Sequence, residues 1–236
     1  MSALTTPALS YQVSPLVMEI IGEPGAQQLI RIENTKSIPI TIEISILRRY
    51  INDDGTEELV PAEEDFIVLP PQSIIQPGKV QNVRLQYLGD PLTDETTHYR
   101  VVVDQLPVKF KQSQTGSSAQ FVLKYELAAH LAPRAAVEEA VKTEVTSTGD
   151  GKLAISLRNE GLKYVLLSRK DYKFSSSSGD TVVTGFDHFL NAVGVNVLPA
   201  SGSRSVIVDV PEGLDVSAGV TLEIIDKQNK RKSKEQ

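Results

Sequence analysis

Apolar positions along this chain recur with a period of two. Residues 28–33 alternate, and Ile38, Ile40, Ile42, Ile44 and Ile46 share one face of an extended segment. A helix would scatter those isoleucines around its circumference. The same alternation returns at Val83, Leu85 and Tyr87, in a β-branched run at 99–103, and in a long run at 120–131. Punctuation falls between the runs. Asn52-Asp53-Asp54-Gly55 and Ile75-Gln76-Pro77-Gly78 read as turns, and Pro70-Pro71 ends the run Phe66–Leu69 because neither proline donates to a ladder. Residues 109–119 are mostly polar and read as a mobile loop.

After Pro133-Arg134 the style repeats with shorter strands, predicted at 141–146, 153–158, 165–174, 181–184, 193–198, 205–210 and 220–225. Short, regularly spaced strands with turn signals predict a sandwich. The expected fold class is therefore all-β, two immunoglobulin-like β-sandwich domains in tandem. They are placed at residues 1–134 and 135–226, followed by a basic disordered tail at 227–236. Residues 135–141 carry Ala, Val and Glu at helical density, so a helical turn competes there.

Composition supports this layout. A chain of 236 residues accommodates two such domains, and 40% apolar with 23% charged residues is ordinary globular usage. The net charge of −6 argues against general nucleic-acid binding, which needs excess Lys and Arg. The absence of Cys excludes thiol catalysis, Cys-held zinc and disulfides. No window approaches the apolar length of a membrane span. His98, His130 and His188 lack ligand spacing, Asp53-Asp54 and Glu63-Glu64-Asp65 lack a calcium-loop pattern, and no nucleophile elbow or phosphate loop occurs. The expectation is a protein that is not an enzyme and holds no cofactor or metal. Residues 1–7 carry no basic region followed by an apolar core, so either the protein is cytoplasmic or a secretory signal has been removed.

Several stretches together resemble a known family. They are Ile30-Arg31-Ile32-Glu33-Asn34-Thr35, Phe66-Ile67-Val68-Leu69-Pro70-Pro71 followed by Ile75-Gln76-Pro77-Gly78 and Val83-Arg84-Leu85, residues 99–107 ending in Leu106-Pro107, and residues 120–131. Leu157-Arg158-Asn159-Glu160-Gly161 and 197–203 extend the likeness into the second half. The chain resembles the periplasmic pilus (fimbrial) chaperones of the chaperone–usher pathway, PapD-like, in their divergent archaic or alternative branch.

The resemblance implies a periplasmic protein, its signal peptide removed from this chain. It would bind pilus subunits by donor-strand complementation and deliver them to an outer-membrane usher. A subunit lacking its last strand borrows one from the chaperone through main-chain hydrogen bonds and alternate side chains. Phe121, Leu123, Tyr125 and Leu127 share one face of the lending strand, and the other face carries Val122, Lys124, Glu126 and Ala128. On pattern alone, the first set faces either a client or the core of its own domain. An uncovered edge also allows self-association. In the family, basic residues anchor the client's terminal carboxylate. Here the matching positions are Pro15 and Ala128, so Arg100 and then Lys124 are the nearest basic replacements. Arg134 is expected to form an interdomain ion pair. The alternative reading is a non-catalytic immunoglobulin-like interaction or adhesin module, cytoplasmic or at the surface. A carbohydrate-binding protein would display aromatic platforms, and this chain has no Trp and 6% aromatics.

Overall fold

The structure, a computed structural model, describes residues 11–92, 94–107, 122–217 and 219–227. The expected loop at 109–119, donor residue Phe121 and the tail beyond Lys227 lie outside the described residues. Strands dominate and no α-helix occurs among the described residues, with three short 3-10 turns as the only helical pieces there. The helical turn considered at 135–141 does not form.

Clustering of the backbone separates two units. One runs to Arg134 but yields Tyr50–Glu58 and Asp94–Thr96 to the other, which otherwise begins at Ala135.

The strands of the first half are Tyr11–Ser14 (β1), Val17–Ile21 (β2), Gln27–Asn34 (β3), Ile40–Ile51 (β4), Glu57–Pro61 (β5), Phe66–Leu69 (β6), Gln72–Ile75 (β7), Val80–Tyr87 (β8), Thr97–Leu106 (β9) and Lys124–Ala132 (β10). One sheet has the order β1-β3-β8-β6. The facing sheet has the order β2-β10-β9-β4-β5, with β7 also on β4. Two of the chain's changes of sheet are short breaks at prolines that split neighbouring strands. Pro70-Pro71 separates β6 from β7, and Pro15-Leu16 separates β1 from β2, breaking what the sequence suggests is one first strand. Between the sheets lies the core: Ile30, Ile32, Ile40, Ile42, Ile44, Ile46, Val83, Leu85, Val101, Val103, Leu127 and Leu131 are all buried. Ile38, expected on the isoleucine face, precedes β4 and stays 43% exposed.

The second half contributes Lys142–Ser147 (β11), Lys152–Arg158 (β12), Val165–Leu166 (β13), Lys170–Ser176 (β14), Thr181–Thr184 (β15), Val197–Leu198 (β16), Ser203–Asp209 (β17) and Val220–Asp226 (β18). Sheets β11-β12-β17 and β15-β14-β18, with the small ladder β13-β16, close over a core that includes Leu153, Ile155, Leu157, Tyr172, Phe174, Phe189 and Leu198. The architecture is the all-β, two-sandwich fold that the patterning predicts.

The same side-chain clamp recurs in both units. At the end of β3 the buried Asn34 donates from Nδ2 to Ile38 O (2.8 Å) and Ile75 O (2.9 Å), and its Oδ1 accepts from Lys36 N–H (2.9 Å). Near the end of β12 the buried Asn159 donates to Lys163 O and Pro199 O (both 2.8 Å) and accepts from Gly161 N–H (3.0 Å). An amide suits the place because it offers two donors and an acceptor to backbone that the sheets leave unpaired. The turn facing Asn34 uses Gly78 at φ +66, a conformation that favours glycine, and its N–H donates to Asn34 O at 2.8 Å.

Arg204 on β17 is fully buried. Its Nη1 donates to Val193 O and Val195 O, and its Nη2 to Val197 O at 3.1 Å. Burial pushes its pKa down, while Asp53 and Asp54 act in the opposite sense. Val193 and Val195, whose carbonyls face the guanidinium, lie outside any ladder, whereas Val197 pairs in register with Leu166. The strand expected over 193–198 accordingly shrinks to Val197–Leu198.

Candidate functional site

β10 has two neighbours over only part of its length. β9 pairs with it antiparallel from Lys124 to Leu131. β2 pairs with it in parallel only from Ala128 to Ala132. Before Pro15 the chain lies in the other sheet, as β1 on β3. The stretch Lys124–Leu127 therefore has β9 on one side and, among the described residues, no strand on the other.

The register says which backbone groups meet that open side. Gln105 N–H donates to Leu123 O (3.2 Å), so odd-numbered residues at this end of β10 bond β9. Ala128 N–H donates away from β9, to Leu16 O (2.9 Å). By alternation the N–H and C=O of Lys124 and Glu126 point outward along the open edge.

Side chains follow the perpendicular alternation. Leu123 and Tyr125 are half-buried and pack against the core of their own unit. Leu127 is fully buried, level with the buried Val101 of β9 and Ile46 of β4. Leu127 was expected on the client-facing set. The structure gives it to its own core instead, next to the point where β2 begins to pair with β10 at Ala128. Phe121 lies outside the described residues. The opposite face carries the exposed Lys124 and Glu126, ion-paired at 3.4 Å.

The two basic candidates share that outer face and do not form one cluster. Arg100 on β9 lies directly across from Ala128, the position at which the resemblance leads one to look for a basic residue. Lys124 lies across from Asp104, four positions along the ladder, or about 13 Å away at the strand rise. Arg134 makes a two-pronged ion pair with Glu23, Nε to Oε1 at 2.5 Å and Nη2 to Oε2 at 2.6 Å. Both residues belong to the first unit, so the ion pair expected across domains forms within one. The Arg134 hydrogen bond and charge hold the Glu23 carboxyl below its usual range.

Sequence reasoning missed two features beside this edge. Tyr11 is fully buried, with its phenol 3.0 Å from both Val103 O and Leu123 O, and Tyr125 Oη donates to Tyr11 O at 2.7 Å. Further along, His98 on β9 and His130 on β10 are buried partners, with Nδ1 atoms 2.8 Å apart. Arg49 on β4 and Glu19 on β2 are their register neighbours. Burial lowers the His98 pKa well below the ordinary imidazole value, and the charges of His130 and Arg49 push the same way. The spacing of these residues in sequence gives no hint of either pair; only strand register brings them together.

Among the described residues, no group of three or more His, Cys, Asp or Glu is placed to hold a metal, and no helix is long and apolar enough to cross a membrane.

Comparison with known proteins places this geometry in context. No curated protein matches the sequence. Solved structures match the fold throughout. The class 5 fimbriae chaperone CfaA aligns with a TM-score of 0.58 at 14% identity, covering 93% of this chain and 100% of its own. A chain of the CsuC–CsuE chaperone–tip adhesion subunit pre-assembly complex, from the archaic chaperone–usher Csu pili of Acinetobacter baumannii, aligns at 0.56 and 16% identity, covering 92% and 97%. A chain of the Salmonella enterica SafA pilin–SafB chaperone complex aligns at 0.55 and 18% identity, covering 88% and 87%. The family model described as pili and flagellar-assembly chaperone, PapD N-terminal domain, matches residues 18–136, from within β2 to beyond β10 and including the half-open edge, and the chain belongs to that family of pilus chaperones.

Proposed function

We propose that this protein is a periplasmic chaperone that binds pilus subunits by lending them the open edge of β10 and hands them to an outer-membrane usher. The observation that carries the reading is the half-paired strand: Lys124–Leu127 is bonded to β9 on one side only. An exposed strand edge is an aggregation liability that proteins normally blunt. Filling it with a strand of an incomplete client satisfies both partners. Leu123, with Phe121 before it, supplies the alternating side chains for the client groove, while Tyr125, turned inward to Tyr11, holds the strand to its own sandwich. Leu127 fastens the strand to its own sandwich. Arg100 binds the client's terminal carboxylate, since it stands one strand over from Ala128 and a guanidinium suits a carboxylate. Lys124 adds a second positive charge farther along the edge. Fixing the terminus by charge sets the register, and a one-residue slip would turn every client side chain to the wrong face. The solved complexes CsuC–CsuE and SafA–SafB, a chaperone with a tip subunit and with a pilin, support subunits as the partner class.

The test is co-expression with the pilus-subunit candidate encoded beside the gene, followed by pull-down through a tag on the chaperone. A one-to-one soluble complex is expected. A subunit that folds and stays soluble alone, with no complex, would overturn the reading.

A further inference from the structure

We propose that Tyr11 is a positioning residue for the client-binding edge: its phenol and that of Tyr125 clasp β1 to the start of β10 and keep that edge in strand form before a subunit arrives. The inference rests on the donor-strand reading.

β1 and β10 belong to different sheets, so every contact between them spans the sandwich. Tyr11 reaches from the first sheet into the backbone of the second, its Oη lying 3.0 Å from Val103 O on β9 and 3.0 Å from Leu123 O just before β10. Tyr125 reaches the other way and donates to Tyr11 O at 2.7 Å. The rings meet edge to face, with centroids 4.9 Å apart. Each tyrosine thus holds the other's strand by a hydrogen bond to main chain. Burial raises the pKa of Tyr11, so its hydroxyl keeps the proton it donates.

The position gives the clasp its consequence. It acts where β10 has lost β2 and retains β9 alone. β9 is itself backed by β4, so this end of β10 is an edge strand bonded on one side only. Further support comes from the opposite sheet, and its base is rigid: Tyr11 is the register partner of Asn34, whose clamp fixes the end of β3. A strand held in binding geometry does not have to be ordered during capture, which favours association. The contacts also leave the outward N–H and C=O of Lys124 and Glu126 untouched, because both phenols approach from the interior.

Tyr11→Phe and Tyr125→Phe each delete one hydroxyl and keep the ring. Amide hydrogen exchange over residues 122–127 should quicken about five-fold in each, the equivalent of one ordinary hydrogen bond. Tyr172→Phe, which removes a similar phenol-to-carbonyl bond to Leu167 O in the second unit, should leave that segment unchanged. Capture of the neighbouring pilus-subunit candidate by Tyr11→Phe should slow by a similar factor. Unchanged exchange in both edge variants overturns the clasp. Faster exchange with an unaltered capture rate overturns its positioning role. Failure of the unsubstituted protein to capture any subunit strikes the donor-strand reading instead, and is seen in a separate sample.

Discussion

Replacing Asn34 by Ala should unfasten the first sandwich at the end where the donor strand begins. The side chain makes three hydrogen bonds, to Ile38 O, Ile75 O and Lys36 N–H, and it is fully buried. At about 1 kcal/mol for each bond, the loss is about 3 kcal/mol. That is a large share of the roughly 5–15 kcal/mol that holds a typical domain. The backbone bonds of residue 34, its N–H to Lys79 O at 2.9 Å and its carbonyl from Gly78 N–H at 2.8 Å, survive the change. The effect therefore reports the side chain. Asn34→Asp sharpens the test. It keeps the acceptor for Lys36 N–H and replaces the two donors with an oxygen facing two carbonyl oxygens in a buried site, so it should destabilise at least as much as Ala. Urea unfolding followed by circular dichroism, with hydrogen exchange read from first-half peptides, measures both. A loss below about 1 kcal/mol for Ala, or an Asp variant as stable as the parent, would refute the reasoning. Asn159→Ala should produce a matching loss confined to second-half peptides, because its three bonds repeat the pattern.

Other substitutions probe the edge. Leu123→Glu should block capture of a pilus subunit, because it sets a charge where an apolar groove must close; a complex recovered at normal yield in pull-down would remove residue 123 from the client face. Arg100→Ala should abolish the complex while thermal unfolding stays close to that of the parent, and Arg100→Lys should recover part of the binding; full binding by the Ala variant would refute the anchor. The buried His98–His130 pair predicts a pH dependence. The His98 pKa is depressed in the fold, so the unfolded chain binds more protons as acid is added. Its contribution to stability is complete above the ordinary value near 6.5 and is lost progressively as pH falls towards the depressed value. Arg49 and His130 oppose a charge on His98, and Glu19, the neighbour of His130 on β2, is the one carboxylate in that cross-strand row among the described residues. A melting temperature that does not change between about pH 7 and pH 5 would contradict this.

The elements legible in the sequence are those in which one sheet face is buried and the ends are punctuated. Phe66–Leu69, Val80–Tyr87 and Thr181–Thr184 form over the residues expected, stopped by Pro70, by Gly78 before and Gly89 after, and by Gly179 before and Gly185 after. Glu57–Pro61 and Gln72–Ile75 form without such a signal, because they are short edge pieces on β4, of which the second buries only Ile75. The run at 165–174 is cut by a 3-10 turn at Leu167–Arg169, where Asn196 Oδ1 accepts from Ser168 N–H at 2.6 Å. Arg204 falls just before the strand expected at 205–210 and is one of the most buried side chains, since its partners are carbonyls that no sequence pattern marks. The candidate site divides in the same way. Alternation on 120–131 announces a strand with an apolar face, but the open edge depends on where β2 stops pairing, which is a property of two strands at once. Arg100 gains its meaning from register with Ala128, and Leu127 loses its expected role through register with Val101.

The most direct test of donor-strand binding is residue-resolved hydrogen exchange on the chaperone with and without a captured pilus subunit. Lys124 and Glu126 amides, which face the open edge, should become strongly protected. Tyr125 and Leu127 amides, already bonded towards β9, should change little. That alternating pattern is what a new strand along this edge must produce. Capture of the subunit with no protection at Lys124 and Glu126 would contradict the account.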